Sequence, residues 1–430
     1  MKSRIWIVPL AFVLSGVIAV ALAILMRPRE EVSVQLGDGT VITLKRITYG
    51  KHHRYPPAGI RDRLNELLNK ILPGRSRSSP SLSNMTSNDT LTVWLEETSP
   101  AQGGGFGYRD YRLVDLARKS STRPSWNSIS SLSATQTLRG VGFENFPRRQ
   151  DGALLCLMKS YSEPNRETPA AEFFVSNPGP KSFPIWSASS PPIAAKDGNL
   201  EFTLVECRNG VTRGGRGQRQ PPSLDETYAK VAFRITEDGR PTTDWRPVGV
   251  ESSDATGNRA VNNNWSSTEE GGIVGMLFRD SLWSDEPAWK LRVEFSRAAN
   301  YSPSELWTAR PIDLSRLPAR FSEKDPPISQ TNLLGVTISL RGIEGGQSAN
   351  DYSRLKVRVD PALKDARFTL VALTDENGGR IETRGSSFNS DGTKADYDFM
   401  LPRLGDIKTL TATFAVHRSR FAEFLVRPEN

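Results

Sequence analysis

Residues that carry chemistry are scarce in this chain: 430 residues include two cysteines and three histidines. A structural zinc site needs four convergent ligands, with His or Cys spaced a few residues apart. His52 and His53 are adjacent, so on a strand they point to opposite faces. His417, Cys156 and Cys207 each lie more than 100 residues away from them. Neither an HExxH zinc-protease motif nor a GxSxG nucleophile elbow occurs, which removes the signalled forms of those hydrolases. The run Thr212-Arg213-Gly214-Gly215-Arg216-Gly217-Gln218-Arg219 mimics a phosphate loop. It lacks the closing Gly-Lys-Ser/Thr and runs into Pro221-Pro222, so it reads as a solvated hairpin loop. The acidic groups Asp280, Asp285, Glu286 and Asp391, Asp396, Asp398 do not match a calcium loop. The expectation is no catalytic residue, no metal and no cofactor, with the chain read as leaning away from an enzyme.

What is present is repetition. Thr43-Leu44-Lys45-Arg46-Ile47-Thr48-Tyr49-Gly50 shares a skeleton with Thr203-Leu204-Val205-Glu206-Cys207-Arg208-Asn209-Gly210 and with Ser339-Leu340-Arg341-Gly342-Ile343-Glu344-Gly345-Gly346. An alternating segment follows each octet: Leu91–Leu95, Ala229–Ile235 and Leu355–Val359. Period-two alternation marks a half-buried strand. An aromatic three residues before a valine comes next, at Tyr111, Trp245 and Phe368. A long strand pattern follows, at Ala153–Lys159, Trp289–Phe295 and Thr409–Val416, and then a closing acidic-apolar run. The closing runs are Glu172-Phe173-Phe174-Val175, Glu305-Leu306-Trp307-Thr308 and Glu423-Phe424-Leu425-Val426. Five elements in one order, three times over, predict three tandem modules. With 34 Gly and 29 Pro, the composition suits short strands joined by turns. The predicted fold is all-β: three immunoglobulin-like β-sandwich modules.

Charge is unevenly spread. Residues 1–86 hold thirteen Lys and Arg against five acids, while the remaining 344 residues carry 43 of each sign. The excess is therefore confined to the N-terminal end, and no specific nucleic-acid partner is expected. Ile5–Met26 has no charge and is long enough to span a bilayer as a helix. Ala21-Leu22-Ala23 also fits a signal-peptidase site, but Ile24-Leu25-Met26 extends the apolar run past it, which favours an uncleaved signal anchor. Either way the modules lie across a membrane, in the periplasm or at the cell surface. Within an insertion at 51–86, Ile60, Leu64, Leu67, Leu68, Ile71 and Leu72 recur at helical spacing, and Pro73-Gly74 stops the run. Lys45, Arg46, Arg54, Arg61, Arg63, Lys70, Arg75 and Arg77 are the candidate contacts to an anionic membrane surface or a polyanion.

Pro-rich stretches divide the chain. The expected segments are an anchor at 1–31, a first module at 32–177, a linker at 178–195, a second module at 196–313, a linker at 314–330 and a third module at 331–430. Cys207 takes the apolar place of Ile47 and Ile343, so a small buried hydrophobe is expected there, with a Cys156–Cys207 disulfide as the alternative. Ile47-Thr48-Tyr49-Gly50-Lys51-His52-His53 and the amphipathic stretch after it resemble membrane-anchored bacterial envelope proteins with tandem β-sandwich domains. The functional expectation is a non-enzymatic, membrane-tethered binding or scaffolding protein with a protein or polysaccharide partner, contacted through Trp245, Trp283 and Trp307. The alternatives are a carbohydrate-active or carbohydrate-binding accessory protein working through the second module, which holds five of the nine Trp, and a basic membrane-surface or polyanion binder.

Overall fold

A computed structural model describes residues 32–55, 82–100, 109–118, 120–159, 168–212, 227–262, 266–268, 272–278, 283, 285–314, 325–344 and 352–429. The chain divides into two compact units, Met1–Pro184 with Thr212–Thr227 and Ile185–Val211 with Tyr228–Asn430. Among the described residues the structure is all-β, apart from short 3₁₀ turns, the one at Pro303–Glu305 described in full. No helix in them is long and apolar enough to cross a membrane. The expected anchor at 5–26 and the amphipathic stretch 60–72 lie outside the described residues.

The first unit is a sandwich of nine strands: β1 (Val32–Gln35), β2 (Val41–Tyr55), β3 (Leu82–Thr98), β4 (Tyr111–Val114), β5 (Ser121–Thr122), β6 (Trp126–Ser131), β7 (Gln136–Phe143), β8 (Gly152–Leu157) and β9 (Ala171–Ser176). One sheet runs β1-β2-β3-β7-β6 and the other β5-β4-β8-β9. In chain order this is the ABED and CFG pairing of the immunoglobulin fold, with one extra edge strand in each sheet, β1 and β5. The octet 43–50 lies on β2, where Gly50 takes φ +124 at a register shift and the strand continues to Tyr55. That octet therefore ends in a bulge rather than a turn. The insertion expected over 51–86 is strand at both ends: His52 pairs with Met85 and Tyr55 with Leu82, because the β2–β3 ladder simply resumes past the bulge.

The second unit holds two more sandwiches. Its strands are β10 (Ile193–Asp197), β11 (Leu200–Thr212), β12 (Thr227–Glu237), β13 (Arg240–Pro241), β14 (Trp245–Asp254), β15 (Arg259–Asn262), β16 (Ser266–Thr268), β17 (Ile273–Phe278) and β18 (Trp289–Arg297). Next come β19 (Leu306–Thr308), β20 (Ile312–Asp313), β21 (Ser329–Leu333), β22 (Val336–Glu344), β23 (Ser353–Asp360), β24 (Ala366–Asp375), β25 (Gly385–Ser390), β26 (Ala395–Leu401), β27 (Thr409–Arg418) and β28 (Arg420–Val426). The larger sheets, β10-β11-β12-β17-β16 and β21-β22-β23-β26-β25, repeat the order of the first sandwich; the second octet lies on β11 and residues 339–344 of the third on β22. The repeat read from the sequence is thus a repeat of strand position.

The smaller sheets break the pattern of contiguous modules. In the first sandwich the closing strand β9 pairs with β8, its neighbour in sequence. In the second, β18 pairs not with β19 but with β28, from Trp289↔Val426 to Phe295↔Arg420. In the third, β27 takes β19 on the side away from β24, with Leu306↔Ala415 and Thr308↔Thr413. Sandwiches two and three have exchanged their last strands within one chain. The cores agree: Ala422, Phe424 and Val426 pack with Phe233 and Phe295, whereas Ala309 and Ile312 pack with Leu410 and Phe414.

Chain geometry accounts for half of this exchange. One residue, Ser419, separates β27 from β28. An antiparallel return needs a loop of at least about two residues, so β28 cannot fold back onto β27 and runs straight on into the neighbouring sandwich. Beyond it, Glu429 N–H donates to Cys207 O at 2.8 Å and Asn209 N–H donates to Glu429 O at 3.1 Å. The C-terminal segment thereby touches both sheets of the second sandwich.

Candidate functional site

The exchange brings β18, β24, β27 and β28 to one polar junction between the second and third sandwiches. Arg367, on β24, donates to Glu294 of β18 through Nε at 2.7 Å and through a second guanidinium nitrogen. Ser419 Oγ, at the turnless joint, donates to the same carboxylate at 2.5 Å. Beside it the buried His417 ring places Nε2 2.7 Å from Ser296 Oγ and lies 5.3 Å from the Tyr301 ring. The charged groups that act on this ring are Glu305, Arg297, Arg367 and Glu294.

Ser296 and His417 have the spacing of a nucleophile and its base. The junction does not suit them to that work. Both side chains are buried, and His417 Nδ1 has no carboxylate to orient it. The pair instead ties β18 to β27 by a buried hydrogen bond, and that bond responds to acid. Burial, with Arg297 and Arg367 adding to it, holds the His417 pKa down to about 4, against 6.5 for an ordinary imidazole. Between those values the unfolded chain binds the extra proton and the folded chain does not. Stability from this group is therefore full above pH 6.5 and is lost as pH falls toward 4, by up to about 3 kcal/mol. Denaturant midpoints read at pH 7 and pH 4.5 should fall more steeply with acid in the native chain than in His417→Gln. Equal slopes would contradict a neutral buried ring.

A second cluster lies inside the first sandwich. Glu97 is fully buried; its Oε1 accepts from Arg139 Nε at 2.6 Å and from Tyr111 OH at 3.0 Å, and its Oε2 from Arg109 Nε at 3.3 Å. Burial, with the Glu97 charge beside it, pushes the Tyr111 phenol well above its usual range, so it stays a donor. On the outer face of the same sheet, Trp94 and Trp126 pack 6.3 Å apart, Tyr55 stacks on Trp94 at 5.7 Å and His53 sits 6.1 Å from Trp126. Two glycines make room for the indoles. A Cβ on Gly142 would come within 2.0 Å of Trp126 Nε1, and one on Gly140 within 2.8 Å of Trp94. The alternating β3 pattern marks these faces, but nothing in the sequence shows that β2 would carry His53 and Tyr55 back over the outer one.

The residues singled out from sequence are not gathered into one place. Lys45 forms an ion pair with Glu96 at 3.5 Å, Arg46 lies opposite Trp94 in the ladder, and Arg54 is exposed. Arg61, Arg63, Lys70, Arg75 and Arg77 lie outside the described residues, as do the Arg/Gly run at 213–219, Asp280 and Trp265. Cys156 and Cys207 are free thiols, so the disulfide weighed from the sequence is not formed. Each is buried among the apolar side chains of its own sandwich, and burial pushes each thiol up to about 12.

Trp245 and Trp283, expected as contact residues, are buried, as is Trp289; Trp307 is half-buried and stacks on Phe414 at 5.5 Å. Trp245, Trp289 and Trp307 pack into cores from strand positions, and the carbonyl of Trp283 accepts from Trp289 Nε1 at 3.3 Å. Asp396 is held by Arg358 at 2.7 and 3.0 Å, and Asp391 accepts three hydrogen bonds from Thr393 and Lys394 in its own turn. Among the described residues no group of three or more His, Cys, Asp or Glu is placed to hold a metal ion. A cleft beside β24, lined by Leu370, Leu373, Arg380 and Glu382, has one carboxylate and no tryptophan.

No protein-family model matches the chain, and no curated protein matches it in sequence. Among solved structures, a marsupial T cell receptor is similar at 10% identity over 77% of this chain and 94% of that one, with a TM-score of 0.13. That score is too low to support a shared fold.

Proposed function

We propose that this chain is a non-enzymatic scaffold that presents three like sandwiches outside the cytoplasm on a membrane tether. The observation that carries the reading is the reciprocal strand exchange, which joins the second and third sandwiches through two ladders and a buried polar junction. A scaffold needs fixed spacing between its modules, and two crossing strands supply it where a single linker would not. The groups best suited to chemistry, the Ser296–His417 pair and Glu97, are engaged in interior bonds. The tether rests on the uncharged run 5–26, with Lys2, Arg4, Arg27 and Arg29 around it.

Two measurements test this. The full chain is expected to stay with membranes through an alkaline carbonate wash, and removal of residues 1–31 to release it; a full chain found in the wash removes the tether. A protease site placed at position 320 should give two fragments that co-elute under native conditions and part only in denaturant. Fragments that separate on cleavage would end the rigid-scaffold reading.

A further inference from the structure

The edges of the larger sheets are where a sandwich offers unpaired backbone groups. In the third sandwich one such edge is β25, six residues of sequence Gly-Ser-Ser-Phe-Asn-Ser with neither a charge nor a proline. Edge strands ordinarily discourage foreign pairing with lysine, proline or a bulge, and β10, an edge of the second sandwich, carries Lys196 and Asp197. Phe388, in the middle of β25, is 63% exposed although its ring stacks on Tyr397 at 5.8 Å. Tyr397 lies 4.9 Å from Phe368, and Phe368 lies 5.2 Å from Phe414. Phe388 is thus the outermost ring of a series that starts in the core and ends in solvent.

We propose that β25 is a self-pairing edge, along which a second copy of this chain docks antiparallel and continues the five-stranded sheet across a two-fold axis. An extended backbone is what satisfies a row of unpaired N–H and C=O groups, and the strand is complementary to itself. A two-fold axis normal to the sheet keeps each face continuous, so opposed residues must point to the same side. Centred on Phe388, the register sets Phe388 against Phe388, Ser387 against Asn389 and Ser386 against Ser390, with no charge opposed. The two rings cover one another at the Cβ spacing of a cross-strand pair, about 4.5–5.5 Å.

The test uses the full chain, co-expressed with two different tags. Each tag is expected to retrieve the other, and Phe388→Asp to reduce that recovery at least tenfold. Ile129→Asp is the control: Ile129 is the matching edge residue of the first sandwich, 45% exposed on β6, and its substitution should leave recovery intact. Under mild oxidation Phe388→Cys is expected to form a covalent dimer on a non-reducing gel and Ile129→Cys is not; the native Cys156 and Cys207 are buried. Absence of co-purification, equal effects of the two Asp variants, or equal cross-linking of the two Cys variants each overturns the proposal.

Discussion

Deleting residues 420–430 is expected to unfold the second sandwich and leave the third folded, although in sequence the deletion falls next to the third. β28 places Ala422, Phe424 and Val426 in the second core, with Phe424 5.6 Å from Phe233. Full burial of a Phe or Val side chain stabilises by about 1.5–3 kcal/mol. Losing two of them together with the seven paired positions along β18 removes a large part of the roughly 5–15 kcal/mol that holds a domain. Trp245 and Trp289, both buried in the second sandwich, report the outcome: their emission should shift to the red, and amide protection should vanish from β12 and β18 while β23 and β26 keep theirs. A synthetic peptide of residues 419–429 added in trans is expected to restore the signal, because the acceptor edge of β18 remains. The point variant Phe424→Asp should behave like the deletion. Loss of protection in β23 and β26 with β12 and β18 intact would mean that the strands are not exchanged in solution.

The other large effect is in the first sandwich. Glu97→Ala should cost about 3–5 kcal/mol, because it leaves the buried Arg139 guanidinium without its carboxylate in a site where water cannot replace it. For a domain of this size that is a fall of roughly 10 °C in melting temperature. The double variant Glu97→Leu with Arg139→Met removes both charges and fills the space with apolar side chains, so it is expected to recover most of the loss. The thermal midpoint of the first sandwich, followed by amide exchange in β3 and β7, checks both. A double variant as unstable as the single would show that the ion pair itself, rather than the unpaired charge, sets the stability.

Much of this architecture is legible without coordinates. The octets, the alternating segments and the closing runs are local patterns, and most of their described residues fall on strands because alternation of side chains across a sheet is a property of a few consecutive residues. Leu204, Leu340, Cys207 and Ile343 are buried where the octet's apolar positions predict. The tryptophans of the second module were harder, since an indole reads alike at a binding surface and in a core until the opposite sheet is in place. The clusters around Glu97 and His417 were illegible: Glu97 and Arg139 are 42 residues apart, and Ser296 and His417 are 121 apart.

By itself the sequence determined that the chain is built of three like β modules and where many of their strands lie, since these depend on period and composition along short stretches. It even held a sign of the exchange, for His417-Arg418-Ser419-Arg420-Phe421-Ala422 contains none of the Gly, Pro, Asn or Asp that turn a chain back. Only the tertiary structure decided which strand closes which sandwich. Ala171-Glu172-Phe173-Phe174-Val175 and Ala422-Glu423-Phe424-Leu425-Val426 are nearly the same five residues, yet one pairs with its neighbour in sequence and the other crosses to a different core. A strand's own pattern specifies the surface it needs to cover. Which surface it reaches depends on the length of chain before it, and here that length is a single serine.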